Sequence, residues 1–491
     1  MASLPAPPLR PHAGSSPSPG FRRSPGQGRT APGLRALLLC VVLSSLGLWT
    51  GAVPGWAQES QIPPDTREAA RRLMEAALES PVAWERLEEM VDVYGPRLAG
   101  SEALEASLDW LLQGMEADGL ENVRAEPVSV PRWIRGRESL ELLTPRPQRL
   151  SVLGLGGSVG TPPEGIQAPV LVVESFAELE ELAPEARGSI VLFDVPFTSY
   201  GETVQYRTGG AVAAARVGAV ASLVRSVTPV SLYTPHTGTM SYQEGVDSIP
   251  HAAVTVEDAI MLHRMQDRGR SLELRLVMEA RNEGMVPSRN VMAEITGREY
   301  PGEVVILGGH TDSWDVGQGA MDDAGGVVAA WEAVRLMKEL GLRPRRTVRV
   351  VGWTAEEVGI HGGRAYAESP ARNREEHVLG IESDAGVFSP TGFGFSGSDA
   401  AYRVVRAVGA LLAPVGAQEV TRGGGGADIG PMMEKGMPGM GLQVESTRYF
   451  WYHHSPADTL DKLDPAEMAR CVAALAVMAY VVADLPEPLP R

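Results

Sequence analysis

Apolar positions recur at helical spacing from Thr66 to Gly119, in three stretches. Arg67-Glu68-Ala69-Ala70 opens the first, residues 82–93 make the second and residues 101–118 the third, with Ser101, near Glu105, as a helix start. From about Pro131 to Val286 the rhythm shifts to short β-type runs such as 168–173 and 189–193, broken by Gly and Pro. Within it, Gly209-Gly210-Ala211-Val212-Ala213-Ala214-Ala215 leads into Gly218-Ala219-Val220, small residues suited to a helix packed closely on a sheet. After Pro287, strand candidates at 290–295, 304–307, 347–353 and 378–381 alternate with helix candidates, notably 325–340, and an apolar helix at 466–485 closes the pattern. Such alternation predicts an α/β sheet sandwiched by helices. The expected plan is an α/β domain built from residues 58–130 and 287–491, interrupted by an inserted, mostly-β domain at 131–286.

Composition adds scale and sign. A chain of 491 residues with 44% hydrophobic content implies two or three domains and a sizeable core. Residues 1–57 hold five Arg and no acid, so the remainder carries 39 basic against 61 acidic side chains, a net charge of −22. That surface repels phosphate backbones and argues against nucleic-acid partners. Arg22, Arg23, Arg29 and Arg35 precede a fourteen-residue apolar run at 36–49, and Gly55-Trp56-Ala57 follows. The order predicts a cleaved export signal at 1–57, a secreted or periplasmic protein and no stable membrane association afterwards, with an uncleaved anchor as the alternative. Cys40 lies in the apolar run without lipobox neighbours, which leaves Cys471 alone and no internal disulfide.

The candidate chemistry sits in four segments and a loop. Val304-Val305-Ile306-Leu307-Gly308-Gly309-His310-Thr311-Asp312 ends an apolar strand. Asp322-Asp323 follows within Gly319-Ala320-Met321-Asp322-Asp323-Ala324-Gly325-Gly326, and Trp353-Thr354-Ala355-Glu356-Glu357 and Ile381-Glu382-Ser383-Asp384 end two further strands. The loop is Tyr452-His453-His454-Ser455-Pro456-Ala457-Asp458-Thr459. Open α/β sheets bind ligands at the carboxyl ends of their strands, and converging His and carboxylates suit a borderline cation such as zinc. Taken singly, each segment has a plainer reading. His310 alone reads as a structural histidine, Glu356-Glu357 as an acidic first helical turn and Asp322-Asp323 as an N-cap. The glycines at 423–426 lack the spacing of a nucleotide loop. His236, His251, His263, His361 and His377 have no carboxylate company at ligand spacing and read as structural.

Taken together, the segments resemble the co-catalytic di-zinc exopeptidases. The closest runs are Gly309 through Asp323, Trp353-Thr354-Ala355-Glu356-Glu357, Glu382-Ser383-Asp384-Ala385-Gly386 and His453-His454-Ser455, and residues 188–195 and 209–224 resemble a protease-associated insert. The resemblance implies a three-layer α/β/α sandwich and two zinc ions per chain. In it His310 and Asp384 hold one ion, Glu357 and His454 the other, and Asp322 bridges both. It further implies Glu356 as general base toward a metal-bridging water, Asp312 as the partner orienting His310, and a cis bond at Asp322–Asp323. Several aminopeptidases of the family have Tyr just before the last zinc His, where this chain has His453 with Tyr452 one step earlier. One branch of the family shares that His, which leaves the carbonyl-polarising group open between His453 and Tyr452. The implied activity is hydrolysis of short peptides, chiefly dipeptides with a free N-terminus, by a chain that can form a homodimer. An aminopeptidase on longer peptides, or a metal-free binding protein on the same fold, is the alternative.

Overall fold

Strands Arg346–Trp353, Tyr300–His310, Glu376–Glu382 and Gly439–Val444 lie side by side and parallel. This computed structural model describes residues 62–491, so the export-signal reading of 1–57 falls outside it. Four further strands complete an eight-stranded sheet. Arg281–Ile295 and then Glu121–Ile134 extend one side, and Pro390–Ser396 with Glu419–Arg422 the other.

Apolar strands bury both faces because side chains alternate along them. Val305 and Leu307 face a core shared with helices Pro64–Glu79, Gly325–Glu339 and Pro465–Asp484. Val304 and Ile306 face a smaller cluster with Tyr366, Ala367, Ile429 and Met432, from helices His361–Glu368 and Gly430–Met433 and the turn before the latter. The result is three layers. Ser101 caps helix Glu102–Ala117, its hydroxyl accepting the Leu104 N–H at 3.1 Å. Helix Pro465–Asp484 is long and apolar enough to cross a membrane by composition, yet every residue from Cys471 to Asp484 is buried in protein.

Residues 138–278 build a second eight-stranded sheet. Ile166–Val173, Ile190–Phe193, Ala221–Arg225 and His251–Val254 run parallel within it. Helices Phe176–Glu181, Gln205–Arg216 and Val256–Asp267 pack on it, so this stretch carries more helix than its short β-type runs suggest.

Candidate active site

The four parallel strands all stop on one side of the first sheet, and the acidic and imidazole side chains collect there. His310 is the last residue of its strand, Glu356 and Glu357 lie three and four residues past Trp353, and Asp384 lies two past Glu382. His453 and His454 follow the short helix Tyr449–Tyr452, reached from the strand ending at Val444. The Asp322–Asp323 peptide is cis, in agreement with the resemblance.

Asp322 is the hub. Its Oδ1 lies 3.1 Å from His310 Nε2, which is itself 3.4 Å from Asp384 Oδ1. Its Oδ2 lies 3.4 Å from His454 Nε2, which is 3.0 Å from Glu357 Oε2. Four donors at about 2.0–2.1 Å around a tetrahedral ion stand about 3.3 Å apart, so both separations suit zinc-sized occupants. Asp322 Oδ2 and Glu357 Oε1 are buried without a hydrogen-bond partner, a cost that a cation removes. His453 Nε2 also comes within 3.7 Å of Asp322 Oδ2, with its ring stacked 3.5 Å from that of His454. It stands beside the second donor set rather than apart from it.

The charges perturb one another strongly. Burial disfavours a charged His310, but the carboxylates of Asp312, Asp322 and Asp384 outweigh it and lift the imidazole well above its ordinary range. Burial, reinforced by Asp384 and Asp312, pushes the Glu356 carboxyl up to about 8. Burial, reinforced by Asp322 and Glu356, holds Glu357 well above the carboxylate range. This excess of negative charge in a low-dielectric site is relieved by bound cations.

Neighbouring groups fix the geometry. His310 Nδ1–H donates to the Asp312 carbonyl at 2.9 Å, while the Asp312 carboxylate stands 3.7 Å away and accepts the Glu356 N–H at 3.1 Å. Asp312 therefore touches His310 chiefly through its main chain. Asp323 points away from the hub and accepts the main-chain N–H of His310 and of Gly326, each at 3.1 Å. Gly309 makes room for it, since a Cβ there would fall 2.1 Å from the Asp323 carboxylate. The Asp458 carboxylate accepts the N–H groups of Ala320, Met321 and Asp322 at 3.1, 2.8 and 3.2 Å. Buried Arg97 donates to the carbonyls of Gly95, Thr311, Gln318 and Gly319. His454 holds φ +58°, a conformation worth about 1–3 kcal/mol of strain for a residue with a Cβ.

A cavity of about 460 Å³ opens over these groups. Its lining includes Glu356, His453 and, from the second-sheet region, Tyr200, Arg207 and Thr239. Tyr452 is not part of it. Its ring packs on the main core and under Lys462, and Tyr449 and Phe450, three and two residues earlier, line the cavity instead. Tyr449 and Asp322 border the same cavity. Sequence reasoning missed Tyr449, Arg207 and Trp314, whose indole N–H donates to Glu357 Oε2 at 2.6 Å. Only the aromatic run Tyr449-Phe450-Trp451-Tyr452 before the two histidines marked any of them. Of the histidines read as structural, His236 donates to the His453 carbonyl at 2.6 Å and His263 pairs with Asp194 at 2.8 Å.

Comparison with known proteins agrees with this geometry. The family model described as peptidase family M28 matches residues 290–479. Bovine carboxypeptidase Q is 50% identical over 409 residues, covering 83% of this chain and 87% of the bovine one. The chain belongs to peptidase family M28. The human carboxypeptidase Q is likewise 50% identical over 409 residues, again 83% of this chain and 87% of its own. A crystal structure of a peptidase M28 precursor from Shewanella amazonensis superposes with a TM-score of 0.83 at 35% identity, over 87% of this chain and 98% of that one. The zinc aminopeptidase of Bacillus subtilis shares the fold, with a TM-score of 0.64 at 19% identity over 83% of this chain and 98% of its own. As an M28 peptidase the chain is a hydrolase of peptides. Its α/β core and matched segment both contain every residue of the Asp322 hub.

Proposed function

We propose that this peptidase is a two-zinc exopeptidase acting on short peptides, above all dipeptides with a free amine. The observation carrying the reading is the division of donors around Asp322, with His310 and Asp384 on one oxygen and Glu357 and His454 on the other. Two ions held there would supply Lewis acidity to the attacking water and to the scissile carbonyl. Glu356 lines the cavity without belonging to either donor set, and its raised proton affinity suits a group that takes the water's proton and delivers it to the leaving amine. Tyr449 and His453 border the same space and are placed to donate toward the carbonyl oxygen.

Substrate length follows from charge. The surplus carboxylates favour a cationic amine on the N-terminal side of the scissile bond. Arg207 is the one cationic side chain among the described residues lining the cavity. It is only 4% exposed, donates to the Tyr200 hydroxyl at 2.9 Å and has an unpartnered Nε. A residue spans at most about 3.6 Å, so the carboxylate of the residue just past the scissile bond can reach the guanidinium, which stands 3.4 Å from the His454 ring. In a longer peptide that position is an uncharged amide. Residues 131–286 thus act as an insert of protease-associated type that closes the cleft and sets substrate length.

The test compares kcat/KM for a dipeptide, its N-acetyl form and its C-terminal amide on zinc-loaded protein. Both blocked forms are expected to fall by about 10- to 100-fold. If acetylation alone leaves the rate unchanged, the amine assignment fails. If amidation alone does, the enzyme is an aminopeptidase indifferent to length.

A further inference from the structure

The two sides of Asp322 are built by different parts of the molecule. On the His310 side, every support belongs to the first sheet and its loops. His310 leans on the Asp312 carbonyl and the Asp323 carboxylate, and Asp384 extends directly from a central strand. On the other side, each support is seated in the second-sheet region, including Trp314, a residue of the loop after His310. Glu357 accepts from the Trp314 indole, and that ring is buried in the apolar core of the second sheet with Trp133, Leu140 and Leu276. The ring seats directly on Gly156, where a Cβ would lie 2.2 Å from it.

The loop bearing His454 is gripped along its main chain. Thr228 Oγ1–H donates to the Phe450 carbonyl at 2.7 Å, His236 Nδ1–H to the His453 carbonyl at 2.6 Å and the Thr237 N–H to the His454 carbonyl at 2.8 Å. All three donors belong to one connection, between strands Ala221–Arg225 and His251–Val254. A left-handed φ at a residue with a Cβ persists only where the surroundings over-determine it. For His454 that grip is the over-determining structure.

The geometry points to the second-sheet region as a structural half of the metal centre: Trp314, Thr228 and His236 are positioning residues for the Glu357–His454 ion alone. The inference rests on the two-ion reading above and adds an asymmetry to it. Loosening the grip yields a one-metal protein rather than an empty one.

Full-length protein is stripped with chelator and titrated calorimetrically with zinc, and the bound metal is counted by elemental analysis. Wild type takes up two ions. Thr228→Val, His236→Ala and Gly156→Ala each leave one binding step unchanged and weaken the other by about 10- to 100-fold. His236→Asn, which keeps an N–H donor in place, returns the weakened step toward wild type. Asp384→Asn weakens the step that the other variants spare. Thermal melts of the metal-free proteins accompany the titrations. Thr228→Val, which removes a single hydroxyl, carries the test if His236→Ala melts low. Equal weakening of both steps by Thr228→Val, or of neither, overturns the asymmetry while leaving the two-ion reading intact. Wild type binding fewer than two ions overturns that reading, and this one with it.

Discussion

Adjacent side chains have different surroundings at Glu356-Glu357, and Ala355 just before them holds φ +60°, turning the chain at the strand end. Glu357 meets His454 and Trp314 while Glu356 faces the cavity. Glu356→Gln is expected to retain both metals and lower kcat by about 10²- to 10⁴-fold, because only the proton carrier is lost. Glu357→Gln is expected to lose metal first. Metal analysis beside steady-state kinetics separates the two, and the reversed pattern would mean the roles are exchanged. Asp322→Ala is expected to release both ions, and retention of one equivalent would show that Asp322 does not bridge. The five side chains that the structure gathers around Asp322, and Glu356 beside them, were picked out because each follows an apolar strand or sits in an unusual His-His loop. Trp314 and His236 were not, because their partners lie 43 and 217 residues away and neither side chain looks unusual in its local sequence.

At the scale of elements, the central strands were readable as short apolar runs, but their full lengths were not. The strand Arg281–Ile295 begins nine residues before its apolar part, as an exposed polar ribbon paired with Glu121–Ile134. Pairing through the backbone leaves no hydrophobic signal there. The loop from Thr311 to Asp322 shows a similar gap between sequence and structure. Its shape is set by Arg97 on its carbonyls and Asp458 on its N–H groups, both far away in the chain. Asp458→Ala strands three N–H groups at about 1–3 kcal/mol for each one left buried and unpaired. It is therefore expected to lower unfolding free energy by several kcal/mol in denaturant titrations and to weaken both metal sites. A stability change under about 1 kcal/mol would show that the loop holds itself.

For the whole molecule, the alternating rhythm after Pro287 predicted the layered sheet, and the small residues at 209–215 marked the helix Gln205–Arg216. The second sheet's helices Phe176–Glu181 and Val256–Asp267 left no signal that was read. Metal held at the proposed site would bind only the folded chain, where Trp314 and His236 tie that site to the second-sheet region. Zinc at about 100 times its dissociation constant is expected to add about 2.7 kcal/mol per site to stability. Chelated protein should melt correspondingly lower and recover on zinc addition. A melting temperature indifferent to zinc would mean that the site contributes nothing to holding the sheets together.

The buried helix Pro465–Asp484 sets the order in which this protein can be completed. It lies in the same core as helix Pro64–Glu79, and the Thr66 hydroxyl donates to Asp484 at 2.7 Å across 418 residues of chain. A ribosome adding about 5–20 residues per second needs about 20–80 s to cover that interval. Throughout it, Leu73, Met74 and Ala77 lack the helix on which Pro64–Glu79 chiefly packs and are open to chaperones and to other nascent chains. The central core is therefore closed only once Pro465–Asp484 has emerged. Synthesis arrested before Pro465 leaves a chain whose layers are all present and whose centre is open.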